Sequence, residues 1–149
     1  EGLQLIDSTT FVKEFVPNAG PLTGRKPTAA EWEDIRFGMD LAKKVASLDI
    51  GLSVAVKQKA VVAVEALEGT DNLIRRAGRL CRGGAVIAKA ARPQQDMRFD
   101  IPVIGAETVK TLIRTKASCM AIEAGKTLVI DMERACVLAD RSNVALVAV

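Results

Sequence analysis

Five short apolar segments constrain this chain more than any other feature. They run over residues 52–56, 60–67, 85–90, 119–123 and 144–149. Each has strand length and is rich in Val, Ile and Ala, with acids or a lysine only near an end: Glu65, Lys89 and Glu123. Runs this apolar, without polar alternation, belong to a sheet that is largely buried. Amphipathic stretches lie between them. The pattern predicts an α/β domain, a mixed sheet with hairpins and packed helices.

The chain has 149 residues, which suits one domain with a single core. Residues 1–16 read as an extended lead and a short helix capped by Asp7 or Ser8. The stretch Pro17–Pro27 (PNAGPLTGRKP) reads as a linker, so the organisation expected is a lead and linker over 1–21 and an α/β domain over 22–149. Thr28 and Glu31 form a T-x-x-E capping box opening a helix. Trp32, Ile35, Met39, Ala42, Val45 and Ala46 then recur on one face. The charged triplet Lys57-Gln58-Lys59 separates two β-rich runs and predicts a hairpin. Thr70 is placed to cap a helix running to about Cys81, and Asp131 to cap one running to about Arg141. Residues 91–104 read as a loop between strand and helix. Two stretches, SVAVKQKAVVAVEA to AVIAKA and CMAIEAGKTLVI to VALVAV, each read as hairpin, helix, strand. They suggest a ββαβ duplication, although independent strands of one sheet explain them equally well.

Composition narrows the chemistry. There is no histidine and no tyrosine, so a Ser-His-Asp triad, a Cys-His pair and an imidazole metal site are excluded. The net charge of +3 and five scattered aromatic residues argue against a nucleic-acid partner. Cys81, Cys119 and Cys136 form neither a C-x-x-C pair nor an even disulfide set, and read as small hydrophobes in a reducing, cytoplasmic setting. Apolar runs fall far short of the roughly 20 residues of a membrane span. The chain opens on Glu1 without a signal-peptide pattern, which reads as a fragment of something longer.

Three features carry chemistry. Seven basic residues against three acids lie between Asp71 and Asp100, and Arg75, Arg79 and Arg82 share a helix face. That face is either solvated surface or a phosphate-facing one. The turn Glu68-Gly69-Thr70-Asp71 opens a helix whose free N–H groups can hold a phosphate, or is an ordinary cap. The loop from Arg92 to Pro102 follows a strand end, where α/β sheets tend to bind ligands, and carries Gln95, Asp96, Arg98 and Asp100. Its carboxylates could hold Mg²⁺ or position a water, or pair locally with Arg98. Lys89 precedes that loop and either points into the same cleft or guards a sheet edge. Walker A, G-x-G-x-x-G and G-x-S-x-G patterns are absent. Taken alone, the residues point to a small α/β domain with a phosphate-handling cleft.

The segments LDIGLSVAVKQKAVVAVEALEGTDNLIRRAG, GAVIAKAARPQQDMRFDIPVIGAETV and AIEAGKTLVID, in that order, resemble the bacterial UDP-2,3-diacylglucosamine pyrophosphatases of lipid A synthesis, of the alphaproteobacterial type. The resemblance implies a metal-dependent hydrolase that cleaves UDP-2,3-diacylglucosamine with water into UMP and 2,3-diacylglucosamine 1-phosphate. It implies a Rossmann-like N-terminal domain followed by an α/β C-terminal domain, with substrate between them. The present chain corresponds to the second alone. It also implies an essential aspartate, placed by motif at Asp96, with Asp100 and Asp71 as alternatives. Mg²⁺ or another divalent cation is then expected on Asp71, Asp96 and Asp100. Gly69, Thr70, Lys89, Gln95 and Arg98 are expected against the substrate phosphates. A binding module without turnover is the alternative, and an assembly domain pairing Val144–Val149 across a homo-oligomer interface is a third reading. The amphiphilic substrate is compatible with peripheral contact at the inner membrane, though no basic amphipathic anchor stands out.

Overall fold

The computed structural model describes residues 13–94 and 101–149. The chain enters through a 3₁₀ turn, Lys13–Phe15. Strand β1 (Gly20–Pro21) and helix α1 (Ala29–Ser47) follow, then β2 (Ser53–Lys57), β3 (Ala60–Val64), α2 (Thr70–Cys81) and β4 (Val86–Lys89). The second half holds β5 (Val103–Gly105), α3 (Ala106–Arg114), β6 (Cys119–Ile122), β7 (Leu128–Ile130), α4 (Met132–Arg141) and β8 (Ala145–Ala148). The main sheet has the order β1-β8-β6-β4-β2-β3, and β5 pairs with β7 in a separate small sheet. Strands β4, β6 and β8 are parallel, while β1, β2 and β3 join antiparallel. This is the α/β class with a mixed sheet that the apolar segments predict.

Side-chain alternation divides the core into two layers. Val86 and Ala88 of β4, Cys119 and Ala121 of β6, and Ala145 and Val147 of β8 pack with Ile35, Met39 and Ala42 of α1. Ile87, Met120, Ile122 and Leu146 point the other way, into a cluster with Leu73, Ile74 and Ala77 of α2, Val109 and Leu112 of α3, and Ala135 and Ala139 of α4. The three parallel strands are buried at every position. That is why they read as unbroken apolar runs rather than alternating ones. Among the described residues, no helix is long and apolar enough to cross a membrane.

The capping box forms as expected. Thr28 Oγ1 accepts from the Glu31 amide at 3.2 Å, and Glu31 Oε2 accepts from the Thr28 amide at 2.8 Å. The stretch expected as a linker does more than connect. Gly20 and Pro21 pair with Ala148 and Val147, so the sheet begins before the boundary expected at residue 22. Arg25 forks onto Glu31 with bonds of 3.0 and 2.8 Å, and Asp140 accepts from the Gly24 and Arg25 amides at 3.1 and 3.0 Å. Prolines and glycines here shape a strap bound to two helices, because nearby Glu31 takes up its side-chain donors and Asp140, far away in sequence, takes up its backbone donors.

Three further expectations change. The hairpin β2–β3 forms, but the second half of the suggested duplication does not, because β7 pairs with β5 and not with β6. Strand β5 begins at Val103, within the last two residues of the stretch read as a loop. Strand β8 has β6 on one side and β1 on the other, so Val144–Val149 offers no free edge for pairing between subunits. The lead helix capped by Asp7 or Ser8 lies outside the described residues.

Helix α1 holds the hairpin turn through Asp34, beside an ion pair of Glu33 with Lys59 at 3.0 Å. Asp34 accepts from the Gln58 amide at 2.9 Å and the Lys59 amide at 2.6 Å. Both turn residues have left-handed φ, near +52° and +58°, so the turn depends on this carboxylate rather than on glycine. Asp34→Ala should cost about 2 kcal/mol. Chemical denaturation would record this as a lower midpoint with an unchanged slope.

Candidate active site

One end of the sheet gathers the polar groups that the apolar strands exclude elsewhere. Lys89 is the last residue of β4, paired with Ser53 at the start of β2 and with Ile122 at the end of β6. In the alternation it follows Ile87, so its side chain goes to the α2 face. It is only 4% exposed. Lys89 Nζ donates to Thr70 Oγ1 at 2.9 Å, and the Thr70 hydroxyl donates to Glu65 Oε1 at 3.1 Å. A hydroxyl has one proton to give and two lone pairs. With its proton on Glu65, Thr70 receives Lys89 on one lone pair and the buried Ser53 hydroxyl, at 3.3 Å, on the other. The chain Lys89–Thr70–Glu65 thus links a buried ammonium to a buried carboxylate. Burying either charge alone would cost several kcal/mol. Lys89 is central in the sheet, so the edge-guard reading is corrected.

Thr70 earns its place differently from the reading as a cap. The N-cap of α2 is Gly69, with φ +80° and ψ 161°, and no side chain caps the helix. That conformation favours glycine. Its consequence is that Thr70 enters the first turn with its hydroxyl turned toward Glu65 and Lys89, while the first-turn amides lack a side-chain cap. Asp71 is half-buried in the same turn. Asp131 likewise sits at the N-cap of α4 with no side-chain capping bond.

The cluster adjoins a cleft of about 490 Å³ lined by Asp49, Gly51, Glu65, Gly69 and Arg92, among others. Arg92 Nε bonds Asp49 Oδ1 at 2.7 Å across it. Glu65 is buried, and its second oxygen, Oε2, lacks a hydrogen-bond partner among the described residues. Such an orphaned acceptor is unusual in a folded core and marks a position that an incoming cation or donor would satisfy.

Glu123, one residue beyond β6, anchors the other side. Its Oε2 accepts from the Ala91 amide at 2.8 Å, and its Oε1 accepts from Lys126 at 2.8 Å. Burial pushes this carboxyl up, but Lys126, the Ala91 amide and nearby Lys43 outweigh burial and hold it below the usual carboxylate range. Ala91 is where the chain leaves β4 toward residues 95–100, so Glu123 sets the departure of that loop.

Lys89, Gly69, Thr70 and Asp71 are thus brought to one end of the fold. Gln95, Asp96, Arg98 and Asp100 lie outside the described residues. Among those described, no three acids or cysteines converge as a metal site. Sequence reasoning left Ser53 and Asp49 out of the site. The signal for Ser53 was a lone hydroxyl opening an otherwise apolar strand. The Asp49–Arg92 bond joins residues 43 apart, which no local pattern marks. The cysteines are no part of this cluster. Cys119 is buried, and burial, with Glu31 nearby, pushes its thiol up to about 12.

Residues 18–147 match the sequence model of the LpxI C-terminal domain. The chain belongs to the LpxI C-terminal domain family. It is 34% identical over 148 residues to the UDP-2,3-diacylglucosamine pyrophosphatase LpxI of Caulobacter vibrioides, an alignment covering 94% of this chain and 53% of that protein. The chain therefore spans about half the length of the LpxI protein it matches. The family matches the resemblance read from the three sequence segments, and the strap from residue 18 onward falls within the matched domain.

Glu123→Gln should lower stability at neutral pH by about 1–2 kcal/mol, since the amide cannot serve both donors as an anion. A carboxyl depressed in the fold adds stability that is present above its unfolded pKa and lost as pH falls through the folded one. Denaturation midpoints of parent and variant should therefore converge as the pH is taken below about 4.5.

Proposed function

We propose that this domain supplies one wall of the catalytic cleft of a UDP-2,3-diacylglucosamine pyrophosphatase, which hydrolyses its substrate to UMP and 2,3-diacylglucosamine 1-phosphate in lipid A synthesis. The observation that carries this reading is the buried ammonium of Lys89, held by Thr70 beside the uncapped first turn of α2. Pyrophosphate cleavage demands stabilisation of phosphate charge and an aligned water more than a covalent nucleophile. A lysine fixed in a poorly solvated position and a helix N-terminus both favour that charge without having to reorganise. The opposite wall belongs to a second domain, in keeping with the greater length of the Caulobacter relative. The reaction is placed at the cytoplasmic face of the inner membrane, where an amphiphilic substrate would present its head group.

A divalent cation such as Mg²⁺ fits the donor set in one respect. Glu65 Oε2 is a buried carboxylate oxygen without a described partner, next to the place assigned to phosphate. A cation between two facing anionic groups would offset their repulsion. Asp71, Asp96 and Asp100 are the residues proposed to hold it, and Glu65 is proposed as a further oxygen donor. When bound, such an ion would neutralise phosphate charge and acidify a water. Asp96 would orient that water, Gln95 and Arg98 would bind phosphate oxygens from the loop that Glu123 anchors, and Lys89 would hold charge on the leaving phosphate.

In a chain carrying both halves of the protein, Asp96→Ala should abolish UMP release while substrate still binds. Unchanged turnover would move the essential carboxylate to Asp71 or Asp100. Lys89→Met should slow turnover at least ~100-fold. Tight substrate binding with no UMP release from the unsubstituted two-domain protein, with Mg²⁺ supplied, would favour the binding-module reading instead.

A further inference from the structure

The arginine face of α2 ends far from this cleft. Helix α2 begins at the Lys89 cluster, and its 12 residues carry the chain about 18 Å away. There Arg75, Arg79 and Arg82 meet Arg114 and Lys116 at the end of α3 around a groove of about 500 Å³. The groove exists because the helices touch at Gly78. A Cβ placed there would lie 2.6 Å from Thr115 Cβ, too close for any side chain.

Five cations converge on this groove. Among the described residues none of the five pairs with a carboxylate, and Arg75 bonds only the amide oxygen of Asn72. The whole chain has 21 basic and 18 acidic residues, so setting these five aside leaves the remainder slightly acidic. The basic surplus is concentrated here. Cations in a last helical turn answer a need set by the helix dipole and its free carbonyls. Part of it is already met at α2, where Lys57 Nζ donates to the carbonyls of Cys81 and Gly83 at 3.0 and 2.8 Å.

Backbone conformation also shapes the rim of the groove. Arg82 and Lys116 both have left-handed φ, +55° and +56°, just past the ends of α2 and α3. Glycine or asparagine is the undemanding choice at such positions. The chain instead places basic side chains there, and both line the groove.

We propose that the groove between the C-terminal ends of α2 and α3 is a second phosphate-binding site, separate from the Lys89 cleft, which takes a ligand carrying two or more phosphate charges. Guanidinium forks suit phosphate oxygens, and an anion would relieve the mutual repulsion of the five cations. The ligand's phosphates come either from a soluble diphosphate or from anionic lipid head groups at a membrane surface.

The test uses the full chain with sodium pyrophosphate in calorimetry, and with phosphatidylglycerol-containing vesicles in sedimentation against phosphatidylcholine vesicles. At physiological ionic strength, saturable pyrophosphate binding should weaken at least tenfold in R79E/R114E. The double variant R82G/K116G separates binding from folding. Relief of left-handed strain should leave its melting temperature unchanged or higher while its affinity for pyrophosphate falls. Groove-dependent sedimentation with phosphatidylglycerol, competed by pyrophosphate, would identify the source as lipid head groups. Pyrophosphate binding without sedimentation would identify a soluble ligand. Absence of saturable binding to both probes, or binding that survives R79E/R114E, would overturn the site. So would an R82G/K116G protein that melts lower and binds as before.

Discussion

The burial of β4, β6 and β8 on both faces is the constraint on which the rest of the structure depends. Parallel strands covered on two sides cannot carry charge along their length, because an unpaired buried charge costs more than the whole domain can offset. Each strand therefore stays apolar along its length, up to Lys89 at the end of β4. Polar groups are admitted only where the strands end, at Lys89 and just past β6 at Glu123. The helix layers follow from the same requirement. Alternate side chains of one strand need α1 on one face and α2, α3 and α4 on the other.

Admission at the strand ends has conditions. Lys89 is tolerated because Thr70 bridges it to Glu65, and Thr70 is in place only because Gly69 lets α2 begin without a side-chain cap. Glu123 is tolerated because Ala91 and Lys126 satisfy it. The helix start, the sheet end and the departing loop are thus held by two carboxylates, each with a different duty. Glu123 is fully engaged and positions backbone. Among the described residues, Glu65 keeps one oxygen without a hydrogen-bond partner.

The basic face of α2 shows how one helix serves two ends of a molecule. Its buried stripe, Leu73, Ile74 and Ala77, fixes it to the sheet, and its first turn contributes to the cleft. Its last turn carries arginines to a separate groove, where Gly78 permits α3 to approach. The helical period alone placed Arg75, Arg79 and Arg82 together. It did not say that Arg114 and Lys116 would face them.

The sequence by itself determined the α/β class, most of the elements and the capping box of α1, because these rest on local spacing and on apolar runs that are legible residue by residue. Three quoted segments also carried the family. Tertiary structure alone decided that the Pro17–Pro27 stretch is a bound strap, that β7 leaves β6 for β5, that Thr70 is a relay and no cap, and that Ser53 and Glu65 join Lys89. Those outcomes depend on contacts between residues far apart in the chain, such as Arg25 and Gly24 with Asp140 or Ala91 with Glu123. A lone polar residue in an apolar run looks alike whether it faces solvent or a buried partner, and only the packing of the sheet against its helices chooses between the two.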